Sequence, residues 1–214
     1  MLRLAITLSV ALLAAGCVKR ASDNQARYYE DGSAKPLVSL VPVIDRAMHD
    51  LEWSVSEELT STIHYRLLQK NRLYLVDHEK VASAVRKLDA SHNPFGANLA
   101  WVKRAFPEDE FVIFMELVEH EEIPASQKGG TASELNMAMR VRVVDLRHDF
   151  PKVILQEMVR GSHSIPKQFS REYFFQVPWG KESYSISPIG LAHSDLSQEV
   201  ARRVEDYILL AMKR

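Results

Sequence analysis

Leu37, Val38, Leu40, Val41, Val43 and Ile44 make an almost unbroken apolar run with Pro42 near its end, the pattern of a strand covered on both faces. Ser54 and Glu57 then stand as a capping box, and Val55, Leu59, Ile63 and Leu67 recur at four-residue steps. That spacing predicts a helix with one face packed on the sheet. Leu73–Val76 reads as a second strand, and Asp77 as the cap of a helix carrying Val81, Ala82, Val85 and Leu88. Strand, helix and strand in close succession predict a βαβ unit with parallel strands and a right-handed crossover.

The loop Asn93–Gly96 precedes a short helix over Leu99–Phe106, which Pro107 ends. Phe111–Val118 is a third strand, followed by a polar loop with Gly129 and Gly130. Leu135, Met137, Met139, Val141 and Val143 alternate with Asn136, Ala138, Arg140 and Arg142, the period of a half-exposed strand. Arg147–Lys152 turns the chain into Val153–Val159, which predicts an antiparallel hairpin or meander. Last, Ser187 and Pro188 open a helix whose buried stripe is Leu196, Val200, Val204, Tyr207, Ile208 and Ala211. The order β-α-β-α-(α)-β-β-β-α describes an α/β (α+β) fold, a mixed sheet with packed helices, over residues 37–214.

The N-terminal pattern is different. Residues 1–16 run from Arg3 through the apolar stretch Leu4–Leu13 to small residues, the layout of a secretory signal peptide. The stretch is well short of the roughly 20 residues that span a bilayer. Cys17, the single cysteine, follows at once. Leu13–Cys17 resembles the lipobox of bacterial lipoproteins, which implies cleavage before Cys17 and acylation of its thiol and amine. Ala14 stands where that motif usually has leucine, and Leu13 lies one place earlier. An ordinary signal with a free thiol is the rival reading, but a lone thiol in an oxidising compartment has no partner. Val18 follows the cysteine instead of the aspartate of many retained inner-membrane lipoproteins, so the outer membrane is expected, with the domain on its periplasmic face. Residues 18–36 are polar and aperiodic and read as a tether that spans ~60 Å when fully stretched.

Charge narrows the partners. Lys and Arg number 27 against 28 Asp and Glu, and losing Arg3 with the leader makes the balance one charge more negative. Such a chain has no broad electrostatic attraction to nucleic acid.

Several phrases carry a family likeness: Val41-Pro42-Val43, Ser56-Glu57-Glu58-Leu59, Arg72 to Asp77, Val81 to Val85, and Val141 to Asp145. They resemble the CsgG and LpoB-type lipoprotein family, with a TolB N-terminal-like α/β domain, although His78 stands at the family's arginine-like position. The resemblance implies a non-catalytic domain that binds an envelope protein, such as a cell-wall synthase or an assembly complex. A CsgG-type pore needs membrane strands of about 9–11 alternating residues, and neither residues 121–133 nor residues 165–187 supply a pair of them.

The densest candidate chemistry is Glu116, Glu119, His120, Glu121 and Glu122. On a strand only alternate residues converge, which leaves two groups where a zinc site needs three or four, so neither metal nor cofactor is expected. Ser162-His163-Ser164 and His193-Ser194-Asp195 contain triad residue types, but sequence neighbours seldom face one another as a triad does. Residues 169–180 hold Phe169, Tyr173, Phe174, Phe175 and Trp179. These aromatics either dock a partner or fold back over the sheet. Tyr173, Phe174 and Trp179, together with Arg140 and Arg142 on the polar side of their strand, are the candidate partner-binding residues.

The expected function is therefore a non-enzymatic envelope lipoprotein, anchored to the membrane at Cys17 and binding a protein partner. The alternatives are an envelope hydrolase or metal-binding enzyme, and a structural lipoprotein or ligand carrier.

Overall fold

A computed structural model describes residues 25–89, 91–124, 131–166 and 177–213. The strands are β1 (Leu37–Leu40), β2 (Ile44–Asp45), β3 (Tyr74–Leu75), β4 (Phe111–Pro124), β5 (Thr131–Asp145) and β6 (Lys152–Pro166). The helices are α1 (Val55–Lys70), α2 (His78–Val85), α3 (Ala100–Ala105) and α4 (Pro188–Met212), with a 3-10 turn over Glu182–Ile186 just before α4. The strands form one mixed sheet in the order β3-β1-β4-β5-β6, and β2 also pairs with β4. β1 is parallel to β3 and β4, while β4, β5 and β6 are antiparallel neighbours.

The expected first strand is split. Leu40 faces Ile113 and Ile44 faces Glu116, so one extra residue is taken up around Pro42, which has no N–H to offer the ladder. Val43 N–H turns away and donates to Thr60 Oγ1 on α1 at 2.9 Å. α1 and α4 begin where the local signals predict. Ser54 Oγ accepts from Glu57 N and Ser187 Oγ accepts from Gly190 N, each satisfying one of the donors that a helix start leaves over. α2 stops at Val85, short of Leu88.

Alternation along β4 divides the sheet's two faces. Phe111, Ile113, Met115 and Leu117 join α1 and α4 in the main core with Leu59, Ile63, Val200 and Val204. Val112 and Phe114 face the other way, onto a second cluster with Val81, Trp101, Val102 and Phe106 from α2, α3 and the residue that ends α3. β4 outruns its apolar run, because backbone pairing continues through Glu121–Pro124 opposite Ser133–Asn136, with Glu121, Glu122 and Glu134 exposed while Ser133 and Leu135 stay buried.

Residues 25–36, expected in the tether, belong to the folded unit. Tyr28 and Ala34 form an antiparallel bridge closed by a turn in which Gly32 adopts φ +83°, a left-handed conformation that suits glycine. Lys35 is 2% exposed and its Nζ donates to Asn71 Oδ1 at 2.6 Å. Gln25 Oε1 accepts from Leu75 N at 2.9 Å, so its side chain occupies a donor on the edge strand β3. These long-range contacts, invisible in a polar aperiodic sequence, fix the segment.

Candidate functional site

Glu58, His193 and His120 meet inside the protein, from α1, α4 and β4. Glu58 follows Val55 by one helical turn and so lies on the apolar stripe of α1, and His193 lies on that of α4, beside Ala192 and Leu196. Their exposures are 2% and 1%. His120 reaches them through an irregularity of the ladder. Leu117 faces Met139 but Glu119 faces Ala138, so Val118 is an extra residue that changes the parity of everything after it. His120 thus faces Met137 on the main-core side, 8% exposed, where an unbroken alternation would turn it outward.

The Glu58 carboxylate is well supplied with donors. Oε2 accepts from Trp53 Nε1 at 2.8 Å. Oε1 accepts from Tyr184 Oη at 2.6 Å and from His193 Nδ1 at 2.8 Å. His193 Nε2 in turn lies 2.8 Å from His120 Nε2. Gly190 permits this assembly, since a β-carbon there would collide with the Tyr184 carbonyl. Toward the surface, His49 packs edge-on to His120 with ring centroids 5.2 Å apart, and its Nε2 meets Asp45 Oδ2 at 2.8 Å.

The electrostatics follow from burial and bonding. Burial opposes a charge on Glu58, but hydrogen bonds from His193, Tyr184 and Trp53 and the attraction of His193 outweigh it, and its pKa lies below the usual value. Burial, then His193 and His49, hold His120 down to about 3, so its ring is neutral under ordinary conditions. Burial and then the Glu58 charge push the Tyr184 phenol up. The cluster runs from Asp45 to Trp53 and Tyr184 as acceptors, imidazoles and donors. It is a proton-holding arrangement with no nucleophile at its end.

The triad-like neighbours separate. His193 points to Glu58, Ser194 Oγ accepts from Arg66 at 2.7 Å, and Asp195 pairs with His163 at 3.2 Å. The acidic cluster separates as well: Glu116 accepts from Arg140 Nε at 2.9 Å, His120 turns inward, and Glu121 and Glu122 are exposed. Among the described residues no three His, Cys, Asp or Glu groups come together as metal ligands.

Arg142 is 6% exposed and is spent within the chain. It donates to the carbonyls of Pro94 at 2.9 Å, Gly96 at 2.7 Å and Phe95 at 3.2 Å, and to Gln156 Oε1 at 2.9 Å. Arg140 stacks over the Phe95 ring at 4.2 Å and keeps 40% of its side chain exposed. Trp179 is partly buried against the main core. Tyr173, Phe174 and Cys17 lie outside the described residues. On the other face a groove of ≈ 410 Å³ runs between β1, β3 and α2, with Lys80 and Lys87 among its lining residues together with Glu108 and Asp109.

Sequence reasoning missed Glu58, Tyr184 and the inward role of both histidines. A signal was present, since Glu58 and His193 are polar residues at stripe positions.

The family model for DUF7499, a family of unknown function, matches residues 24–212. The chain belongs to that family. The match begins within the segment expected as tether, in keeping with its folded state from residue 25. No curated protein matches. Among solved structures, this DUF7499 chain is similar to the hypothetical protein CT253 from Chlamydia trachomatis, with 26% identity and a TM-score of 0.66 over 82% of this chain and 98% of that one. It shares its fold with protein XCC0632 from Xanthomonas campestris, at 4% identity and a TM-score of 0.54 over 85% and 90% of the two chains. The LpoB C-terminal domain from Salmonella enterica aligns at 12% identity and a TM-score of 0.36 over 62% and 83%. Among the described residues no helix is long and apolar enough to cross a membrane.

Proposed function

We propose that the protein is a non-enzymatic envelope lipoprotein, acylated at Cys17 after removal of residues 1–16, that acts by binding a protein partner close to the outer membrane. The observation that carries the reading is the lone cysteine at the end of the Leu4–Leu13 apolar run, joined to a domain whose polar clusters are committed internally. Because residues 25–36 belong to the folded unit, residues 18–24 can put at most ~25 Å between it and Cys17. The partner must come to the membrane surface, and acyl chains on both thiol and amine would make the attachment stable where a single chain would not. The partner is assigned to one of two surfaces, the segment that carries Tyr173, Phe174 and Trp179 or the exposed part of Arg140, which lies on the sheet face opposite the core that Trp179 packs against. Arg142, spent on the Pro94–Gly96 loop, supports the second only indirectly.

The test combines anchor and partner. Fatty-acid labelling of cells producing the wild type or Cys17→Ser is expected to mark only the wild type and to place it in the outer-membrane fraction. Cross-linking in intact cells is expected to capture one protein that a Tyr173, Phe174 and Trp179 triple alanine variant loses. Equal labelling of both forms removes the anchor, and identical captures from wild type and triple variant remove the aromatic surface.

A further inference from the structure

The buried cluster poses a question that lipid anchoring and partner binding leave open: how two imidazoles can face each other nitrogen to nitrogen at 2.8 Å inside a core. One and only one proton must lie between His120 Nε2 and His193 Nε2, since two lone pairs or two N–H groups there repel. On the far side, Tyr184 Oη and His193 Nδ1 both meet Glu58 Oε1, so His193 Nδ1 carries a proton whenever Glu58 is ionised. Two arrangements satisfy both conditions. In the first, His193 is neutral with its proton on Nδ1, and His120 donates from Nε2. In the second, His193 is charged and donates from both nitrogens, and His120 accepts at Nε2 with its own proton on Nδ1. The second holds one more proton than the first and has lost no hydrogen bond within the cluster.

We propose that Glu58, His193 and His120 form a one-proton latch between α1, α4 and the β4–β5 hairpin: the first proton enters by a tautomer exchange of His120, and a second, on His120 itself, breaks the contact. The first proton is stabilised by the Glu58 charge beside it. The second would put two N–H groups in opposition and a second positive charge beside His193, and among the described residues no carboxylate bonds to His120. The groups facing His120 are His193 and Glu58 from α4 and α1, Tyr184 from the 3-10 turn, His49 paired to Asp45 beside β2, and, further along the same face, His163 of β6 paired to Asp195. Their carboxylates are engaged by other partners. The low pKa of His120 agrees with this ordering.

Opening the latch would free the distal hairpin, residues 119–124 and 133–138, from α4, because His120 is the polar tie that joins them. The inference concerns the isolated protein and does not depend on an envelope location.

The test is nitrogen NMR of the full chain in detergent micelles, labelled at histidine, followed from neutral to acid pH. His193 is expected to become charged while His120 remains neutral and exchanges an Nε2–H for an Nδ1–H pattern. Glu58→Gln, which removes the facing carboxylate charge, is expected to abolish the tautomer exchange of His120. Hydrogen exchange of residues 119–122 and 135–138 is expected to rise in acid ahead of the rest of the fold, and in His120→Gln to rise only with global unfolding. His120 keeping Nε2–H while His193 charges, or both rings charging together, overturns the latch. So does hairpin exchange that is the same in wild type and His120→Gln. Should Glu58→Gln not fold, the wild-type tautomer record and the His120→Gln comparison still decide it.

Discussion

Tyr184 Oη donates to Glu58 Oε1 at 2.6 Å across a sequence separation of 126 residues. The bond ties the 3-10 turn that feeds α4 to the first turn of α1, and it is one of three donors that let a carboxylate stay ionised in the core. Tyr184→Phe keeps the ring and removes the donor. The expected cost is about 2 kcal/mol, the size of a hydrogen bond to a charged group, and Glu58→Ala is expected to cost more because it strands His193 and Trp53. Urea denaturation near neutral pH measures both. A Tyr184→Phe change within about 0.5 kcal/mol would show that Glu58 is solvated instead.

Acid should weaken the fold in two stages. The pKa of His120 is about 3 in the folded protein against 6.5 for an ordinary histidine. Between those values the unfolded chain binds a proton that the folded one does not. Its contribution is therefore complete above about 6.5 and is lost as pH falls toward about 3, at up to ~1.4 kcal/mol per pH unit. The Glu58 pKa is depressed from 4.5, so its contribution is complete above 4.5 and is lost below it. Urea midpoints at a series of pH values should fall from about pH 6.5 in the wild type, and His120→Gln should fall only from about 4.5. Parallel curves would refute this assignment.

Val118 can be tested by removal. It is the extra residue between the pairs Leu117–Met139 and Glu119–Ala138, so deleting it leaves the β4–β5 pairs on either side in register and His120 on the main-core face. The deletion is expected to fold with a loss of less than about 2 kcal/mol and to retain the His120–His193 contact. Inserting one alanine after Glu119 instead turns His120 outward or enlarges the bulge, and should cost more than about 3 kcal/mol by leaving Glu58 and His193 without their neighbour. Thermal unfolding with histidine NMR checks both, and the deletion failing where the insertion folds would sink the register account.

The contrast between helix starts and the buried cluster shows which features a sequence carries locally. Ser54 with Glu57, and Ser187 with Pro188, act within one turn of backbone, and both helices begin at the expected residues. Glu58 and His193 are 135 residues apart, and nothing near either one names the other. His120 was harder still. Its face depends on one bulged residue, and Val118 has no glycine or proline to mark it. β4 was expected to stop at Val118 because the apolar run ends there, whereas ladder hydrogen bonds continue wherever a partner strand is present.

Arg142 acts as a structural cap. Its guanidinium holds three successive carbonyls of the Pro94–Gly96 loop and the side chain of Gln156. Lysine has the charge but lacks the planar fork, so Arg142→Lys is expected to behave nearly as badly as Arg142→Ala, at about 2–4 kcal/mol. Limited proteolysis should then cut within residues 93–99 in both variants and spare the wild type. Rescue by lysine would mean that charge alone suffices.

The boundary of the folded unit gives a prediction of opposite sign for two truncations. A chain beginning at Gln25 keeps every contact described for residues 25–36, so it is expected to unfold cooperatively at the temperature of the full chain. Removing residues 1–36 takes away the Gln25 amide that accepts from Leu75 N at 2.9 Å, the Pro36 carbonyl that accepts from Tyr74 N at 2.9 Å, and the Lys35 ammonium bonded to Asn71 at 2.6 Å. Tyr74 and Leu75 are the edge strand β3, and an uncovered edge offers its N–H and C=O groups to other chains. The shorter chain should therefore lose several kcal/mol and self-associate, which calorimetry and light scattering would detect. Lys35→Met separates the two effects: it removes the ammonium but keeps the chain over the edge, so it should lower stability without inducing association. If the chain from residue 37 stays monomeric and as stable as the one from residue 25, the segment is a tether after all and its contacts contribute nothing.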